Sequence, residues 1–194
     1  MDIEYPDGAT PLDPDEAGGL RLTHITTREQ LNIFEAENIR EGAAWAWRSR
    51  SKDMLNEGFI RRLHRNMFGK VWKWAGNFRN SDKNIGVPKE RIGIDLRELC
   101  DDVQFWIDHH TFEPDEIAAR FHHRLVSVHP FSNGNGRHAR LMTDLLLEKA
   151  LDSERFSWGG GDLIDSGSCR DRYIAALRAA DRGDYDLLKA FVRS

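Results

Sequence analysis

The chain has 194 residues, with 28 basic and 32 acidic side chains and a formal net charge of −4. This length suits one domain with a sizeable core, and the slight acidic excess gives no overall field that would recruit nucleic acid or an anionic membrane surface. Only two cysteines occur, Cys100 and Cys169, and no apolar run approaches the roughly 18 residues of a membrane span. The composition therefore predicts a cytoplasmic protein with two reduced thiols and no membrane or direct nucleic-acid partner.

The first 24 residues are predicted to form a flexible arm. Half of the six prolines fall in this stretch, together with several acids and little apolar periodicity. A helix of about residues 27–48 follows, because apolar residues recur at helical spacing and Thr27 with Gln30 makes a capping-box pattern. We assign residues 25–194 to one domain that begins with this helix.

The rest of the chain alternates helical patterns with one irregular stretch. Between Trp74 and Ile94, glycines, polar residues and Pro88 interrupt the helical period. We predict a short β-hairpin flap there, with Ile85 and Val87 on extended segments. Helical patterns cover about residues 52–70, 95–109, 114–127, 136–150, 169–182 and 185–192. The sequence thus predicts an all-α fold, a helical bundle with one short hairpin.

Chemistry is concentrated in residues 129–140, which read HPFSNGNGRHAR. Pro130 ends the preceding helix, so His129 lies at a break in the chain, and its imidazole is a base that ordinarily titrates near neutrality. Gly134 and Gly136 permit backbone angles that are closed to other residues, and the next helix begins there with amide groups that suit a phosphate chain. The pattern predicts an anion-binding turn beside a base.

Two arginines extend this anion-binding turn. Arg137 and Arg140 lie three residues apart on nearly the same helical face, and guanidinium groups form paired hydrogen bonds with phosphate oxygens. Phe131 is the large apolar residue of the turn and is expected to anchor it in the core. A base, a phosphate cradle and two fixed positive charges together describe nucleotidyl or phosphoryl transfer, in which positioning and electrostatics supply most of the catalysis.

Residues 129–140 resemble the signature of the Fic family, His-Pro-Phe-x-(Asp/Glu)-Gly-Asn-Gly-Arg-x-x-Arg. The similarity extends over about residues 25–194 through the WAGNFR segment and the C-terminal helices, and the run SDKNIGVP resembles the bacterial group called mobile mystery protein B. The resemblance implies a Fic-type helical bundle that transfers AMP from ATP, with Mg²⁺, to a Ser, Thr or Tyr hydroxyl of a target protein. An antitoxin or regulator protein is a further candidate partner.

The resemblance also assigns a role to each signature position. His129 becomes the general base and Phe131 the loop anchor. Arg137 holds the phosphates, and Arg140 meets the γ-phosphate. Asn133 stands where most active members have an acid that holds Mg²⁺, so we expect weaker metal binding because an amide oxygen carries no negative charge. The resemblance further assigns the anion-binding turn to Gly134, Asn135 and Gly136.

A regulatory role and a docking role follow from the same resemblance. Many family members are inhibited by a helix carrying (Ser/Thr)-x-x-x-Glu-(Gly/Asn), whose glutamate pairs with the last arginine of the signature. Glu37-Asn38 matches the end of that pattern, but Ile33 stands where Ser or Thr is expected, so Glu37 is either a regulatory residue or a solvated helix residue. In the flap, Ile85 and Val87 are candidates for contacting the target, and the alternative is that they pack in the core.

Two classes of function remain open from the sequence. One is an enzyme, either a protein adenylyltransferase or a Fic enzyme that transfers another phosphate-containing group. The other is a catalytically weak nucleotide-binding regulator, in which Asn133 has replaced the catalytic acid. The two classes differ in whether a covalent mark that depends on His129 is left on a target.

Overall fold

The structure is a computed structural model that describes residues 14–22, 24–25, 27–49, 54–161, 163 and 167–194. Every regular element in this part of the chain is helical, which confirms the predicted all-α class. None of these helices has the length and apolar composition that a membrane span requires. In chain order the helices are α1 (Pro14–Ala17), α2 (Arg28–Arg48), α3 (Glu57–Phe68), α4 (Ile92–Asp108), α5 (Pro114–Val128), α6 (Asn135–Ala150), α7 (Ser168–Ala180) and α8 (Asp186–Val192), with short 3₁₀ turns at Lys89–Arg91 and Trp158–Gly160.

Side-chain caps fix the starts of the first two long helices. At α2, the Gln30 amide donates to Thr27 Oγ1 at 3.2 Å, and the Thr27 amide donates to Gln30 Oε1 at 3.4 Å, which completes the predicted capping box. At α3, Asn56 Oδ1 accepts the Phe59 amide at 2.8 Å. Helix α3 therefore begins after Asn56, a few residues later than the sequence pattern predicts.

Two clusters of buried apolar side chains hold the helices together. Helices α2 to α6 enclose the main cluster, which contains Phe59, Leu63, Leu96, Phe121, Leu125, Phe131 and Met142. A second cluster joins α7 and α8 to the outer parts of α5 and α6 through Ala118, Leu147, Tyr173, Leu188 and Phe191. Because α5 and α6 contribute to both clusters, the turn between these two helices is held rigidly at both of its ends.

The predicted β-hairpin is not formed, and this part of the prediction was wrong. In residues 76–88, which we call the flap loop, the chain makes bends and turns. The guanidinium of Arg79 replaces strand pairing, because it donates to the carbonyls of Ser81 at 2.9 Å, of His129 at 2.8 Å and of Val87. The flap loop is therefore held in large part by buried side chains such as Arg79 and not by a ladder of backbone hydrogen bonds.

Part of the predicted flexible arm, residues 1–24, is folded against the core. In residues 14–22, the buried Glu16 carboxylate pairs with the buried Lys83 ammonium of the flap loop at 2.5 Å. The carbonyl of Glu16 also accepts the indole N–H of Trp74 at 3.0 Å. These long-range contacts have no local sequence pattern, which explains why this stretch looked loose in the sequence. The remainder of the arm lies outside the described residues.

Candidate active site

His129 lies at the C-terminal end of α5, where the helix breaks. Its backbone is left-handed, with φ of 52°, and Pro130 follows it. The side chain is 6 % exposed. Gly86 of the flap loop packs directly against it, since a Cβ atom on Gly86 would come within 2.8 Å of His129 Cβ. The base predicted from the sequence is therefore fixed between the end of a helix and the flap loop.

The protonation state of His129 follows from this burial. Burial, with the nearby Arg79 guanidinium adding to its effect, lowers the pKa of His129 from 6.5 to about 4, and a hydrogen bond to the Val126 backbone opposes the shift. This pKa is lower than the near-neutral value that the residue type alone suggests. At neutral pH the imidazole is uncharged, which is the form that accepts a proton from a hydroxyl group.

The signature turn is shaped by its own side chains. Asn135 is buried; its Oδ1 accepts the Phe131 amide at 2.9 Å and its Nδ2 donates to the Phe131 carbonyl at 2.8 Å. Phe131 is fully buried, as an anchor requires. Gly134 has φ of 78°, and a Cβ atom there would lie 2.5 Å from the ring of Phe68. Both polar atoms of the Asn135 side chain are thus used to hold the turn. An anion at the start of α6 would therefore contact backbone amides and not this side chain.

The Asn133 side chain faces its neighbours in the turn. Its Oδ1 accepts the Gly134 amide at 2.6 Å and an Arg137 N–H at 3.2 Å. Asn133 therefore offers a magnesium ion one neutral oxygen that already accepts two hydrogen bonds. A metal ion there would have to be held mainly by phosphate and water oxygens. At Gly136, a Cβ atom would lie 3.5 Å from the Arg140 guanidinium, which is an ordinary van der Waals contact.

Arg137 forms an ion pair that the sequence did not reveal. Its Nη1 lies 2.6 Å from Glu35 Oε2, and the Glu35 side chain is only 9 % exposed. Glu35 Oε1 also accepts the indole N–H of Trp72 at 2.6 Å. The guanidinium stacks over the ring of Phe68 with 4.9 Å between its Cζ and the ring centroid. One of the two predicted phosphate-binding arginines is therefore neutralised by a glutamate of α2.

Glu37, for which pairing with Arg140 was one of two alternatives, lies away from the signature turn. Its side chain is 54 % exposed and pairs with Arg40 in the same helix at 2.6 Å. Positions 35 and 37 are about 200° apart around a helix, so they face opposite sides. The acid facing the signature is Glu35, which pairs with Arg137. The residue that matches the short inhibitory motif therefore lies on the face of α2 opposite to the signature turn.

Arg140 belongs to a buried polar chain. Its guanidinium is hydrogen-bonded to Tyr173. The Tyr173 hydroxyl lies 2.8 Å from His122 Nε2, and His122 Nδ1 lies 3.4 Å from Thr143 Oγ1. Burial, followed by the charge of Arg140, lowers the pKa of His122 to about 3, so this imidazole stays neutral. Residues of α5, α6 and α7 thus fix the position of the second arginine.

The two flap residues predicted to contact a target differ in exposure. Ile85 is an exposed large hydrophobic residue. Val87 is half-buried against the main cluster, and its carbonyl accepts a hydrogen bond from Arg79. The structure therefore leaves the Ile85 side chain accessible to another chain, while Val87 is partly a packing residue.

Four buried histidines around this region predict an acid-sensitive fold. Burial lowers the pKa of His122 to about 3, the pKa values of His129 and His138 to about 4, and that of His64 well below 6.5. Between about pH 6.5 and pH 4 the unfolded chain binds these protons and the folded chain does not. The free energy of unfolding should therefore fall with decreasing pH in this window, by about 1.4 kcal/mol per pH unit for each histidine.

Urea unfolding between pH 7.5 and 5 measures this dependence. His138→Gln is an informative variant, because glutamine cannot titrate but can still donate to the Ile60 carbonyl, which lies 3.0 Å from His138 Nε2. It should lower the slope of unfolding free energy against pH by about 1.4 kcal/mol per pH unit. An unfolding midpoint that does not change with pH would contradict the prediction.

The sequence and the structure of this chain are similar to those of known proteins. Residues 54–147 match the model of the Fic/DOC family. The chain is 31 % identical over 153 residues to Protein adenylyltransferase fic-1 of Caenorhabditis elegans, an alignment that covers 75 % of this chain and 27 % of that protein. The structure of Fic-1 (residues 134–508) from C. elegans superposes with a TM-score of 0.64 at 27 % identity, over 82 % of this chain and 48 % of that chain.

A bacterial structure shares the fold over nearly its whole length. The N-terminal Fic domain of a VirB-translocated Bep effector protein from Bartonella quintana, with bound ADP, has a TM-score of 0.67 at 19 % identity and covers 88 % of this chain and 86 % of that chain. This likeness shows the shared fold, and residues 54–147 carry the Fic/DOC family domain. It spans about a quarter of the length of the curated relatives it matches.

Proposed function

We propose that the chain is a protein adenylyltransferase, which transfers AMP from ATP to a hydroxyl side chain of a target protein. One observation carries the proposal: a neutral, buried His129 stands at one end of the signature turn, and α6 begins at the other end with Arg137 and Arg140 in its first two turns. A base beside a site for a phosphate chain suits nucleotidyl transfer. The name of the C. elegans relative supports the same reaction.

In the proposed reaction, His129 removes the proton of the target hydroxyl as its oxygen attacks the α-phosphorus of ATP. The bond from that phosphorus to the bridging oxygen breaks, and pyrophosphate leaves with its electron pair. Backbone amides at the start of α6 and the two arginines stabilise the negative charge on the phosphates. The uncharged His129 is ready to act as a base at neutral pH without prior deprotonation.

Magnesium enters this proposal as an ion carried by the nucleotide. When bound, Mg²⁺ supplies positive charge to the phosphate oxygens. Asn133 is the protein residue proposed to touch it, through an oxygen that must first give up or share its contact with Arg137. This weak ligand set predicts that the metal follows the nucleotide and does not bind the free protein tightly.

The flap loop is the proposed site for the target protein. Gly86 packs on His129, and the neighbouring Ile85 is exposed, so a segment lying along the flap loop would bring a hydroxyl close to the base. Val87 would contribute mainly through packing. The partner antitoxin, the cytoplasmic location and membership of the mobile mystery protein B group stay predictions from the sequence.

Autoinhibition is proposed to act through Glu35. Its Oε2 lies 2.6 Å from Arg137 Nη1 and takes the position at which a phosphate oxygen would otherwise bind. The Trp72 indole N–H donates to the other carboxylate oxygen, so the Glu35 side chain is held in position beside Arg137. A nucleotide must therefore displace a buried, hydrogen-bonded carboxylate before both arginines can hold its phosphates. Glu37, which was the residue suggested by the motif, is a proposed control position.

A second candidate function is a nucleotide-binding regulator that transfers nothing. The observation in its favour is Asn133, whose neutral oxygen is already hydrogen-bonded to two neighbours where an active Fic enzyme would place a carboxylate. A regulator of this kind would bind ATP with the same arginines. It would leave no covalent label on any protein.

Parallel incubations with α-labelled and γ-labelled ATP test the proposal against this alternative. The protein is incubated with Mg²⁺ and cell lysate, and His129→Ala serves as the control variant. Covalent α-label that disappears in His129→Ala is the expected result, because only AMP transfer retains the α-phosphorus. Covalent γ-label alone would identify phosphoryl transfer. If no protein carries either label and the chain still binds ATP, the result would support the regulator.

A further inference from the structure

A buried imidazole in α3, His64, connects two separate segments of the chain. Its Nδ1 accepts the Gly76 amide at 3.0 Å, and its Nε2 lies 3.0 Å from the carbonyl oxygen of Asn133. A backbone amide can only donate, so Nδ1 must carry the lone pair and Nε2 the proton. His64 therefore donates a hydrogen bond to the signature turn in one defined tautomer.

The surroundings of His64 keep that imidazole in place. It is fully buried, and burial, with the charge of His138 adding to it, lowers its pKa well below 6.5. The ring stacks on Phe131, with centroids 3.7 Å apart and planes inclined by 20°. Gly76 is itself closely packed, because a Cβ atom there would lie 2.8 Å from the Arg61 carbonyl oxygen. The donor to Asn133 is therefore neutral and rigid.

The carbonyl that His64 holds belongs to a peptide unit that needs such a restraint. The same planar unit carries the Gly134 amide, which donates to Asn133 Oδ1 at 2.6 Å. Glycine accepts positive and negative φ about equally well, so the peptide between Asn133 and Gly134 could rotate without a steric penalty at Gly134. Rotation would remove the donor that holds the Asn133 side chain and would reshape the start of α6.

We propose that His64 is a positioning residue that locks the Asn133–Gly134 peptide, and with it the Asn133 side chain and the phosphate-binding turn. It acts through Asn133 and does not touch the nucleotide. Its effect on AMP transfer rests on the proposed function, whereas its effect on the turn and on nucleotide binding does not. The other reading is that His64 only fills the core.

Two substitutions separate these readings, because each keeps one of the two imidazole hydrogen bonds. In His64→Gln the terminal amide nitrogen can replace Nε2 and still donate to the Asn133 carbonyl. In His64→Asn the amide oxygen can replace Nδ1 and accept the Gly76 amide, but no donor reaches Asn133. Both variants lose ring stacking on Phe131, so both should lower the thermal midpoint of unfolding.

The full-length variants are compared by hydrogen exchange of the peptide containing Gly134, by binding of a fluorescent ATP analogue and by α-label transfer. His64→Asn should speed exchange in the turn and weaken nucleotide binding by about tenfold relative to His64→Gln, whose values should stay near those of the unmodified chain. Equal turn exchange and equal nucleotide affinity in the two variants would overturn the proposal. Loss of α-label in all proteins, with the binding contrast intact, would instead count against the proposed function.

The unmodified chain gives a test that does not depend on a variant folding. Nitrogen-15 spectra of the histidine side chains report which ring nitrogen of His64 carries the proton. The Nε2–H tautomer is expected at pH 7. Finding the Nδ1–H tautomer would exclude the hydrogen bond to Asn133 and overturn the proposal.

Discussion

Arg79→Met is expected to lower AMP transfer by about a hundredfold, because a base displaced by about 1 Å loses its alignment with the hydroxyl. The Arg79 guanidinium is buried and joins the His129 carbonyl to the flap loop at Ser81 and Val87. Methionine fills a similar volume and donates no hydrogen bond. Three carbonyl oxygens lose their donors, so the fold should be destabilised by about 3 kcal/mol.

Arg79→Lys separates the geometry of this side chain from its charge. Lysine keeps the positive charge beside His129 but cannot donate to three carbonyls in fixed directions. The charge of Arg79 helps to lower the pKa of His129 to about 4. Burial is the larger cause and remains in Arg79→Met, so that pKa should rise but stay below 6.5, and transfer should begin to decline at a higher pH than in the unmodified chain. In Arg79→Lys and in the unmodified chain, transfer should stay level at the pH where that decline begins.

The measurement is the initial rate of α-label transfer between pH 5.5 and 8, with circular dichroism confirming that each variant is folded. Arg97→Met, on the exposed face of α4, controls for loss of a positive charge in general. Arg79→Met with the transfer rate and the pH profile of the unmodified chain would show that Arg79 does not position the base.

Glu35→Gln is expected to increase ATP affinity by about tenfold, equivalent to about 1.4 kcal/mol, and to raise the rate of transfer at subsaturating ATP. Glutamine has the same shape and can still accept the Trp72 indole N–H through its oxygen. It removes the negative charge that holds Arg137 at 2.6 Å. The arginine then becomes available to a phosphate oxygen without a charge to displace.

Glu37→Gln is the matched control, because it changes the same residue type two positions along the same helix. Glu37 is exposed and paired with Arg40, so its substitution should leave ATP affinity and transfer unchanged. Isothermal titration with ATP and Mg²⁺ measures the affinities of both variants. An increase in ATP affinity with Glu37→Gln but not with Glu35→Gln would support the role that the motif suggested for Glu37. It would also exclude Glu35 as the proposed inhibitory residue.

Whether a feature of the site could be predicted depends on how far apart in the sequence its contacting residues are. The signature residues were predictable because His129, Gly134 and Arg137 follow one another in a turn whose chemistry is local. Glu37 was one candidate for a regulatory contact because a short motif indicates a helix but not the rotation of that helix against α6. Helix packing decides that Glu35 faces Arg137.

Contacts between distant segments explain the other differences. The flap was predicted as a hairpin because Ile85 and Val87 suit extended structure, but Arg79 takes the place of strand pairing. The two hydrogen bonds of His64 join it to Gly76 and Asn133, which are 12 and 69 residues away. No spacing rule in a single sequence connects such positions, so these contacts became visible only in the folded chain.

We propose that this domain transfers AMP with His129 as the base and Glu35 as the restraint. Tandem mass spectrometry of lysate proteins incubated with ATP and Mg²⁺ tests it most directly, using Glu35→Gln and the double variant Glu35→Gln, His129→Ala. We predict AMP on a Ser, Thr or Tyr hydroxyl after incubation with Glu35→Gln, and no such peptide with the double variant. Failure to find an AMP-bearing peptide with Glu35→Gln, or equal amounts with both variants, would contradict the account.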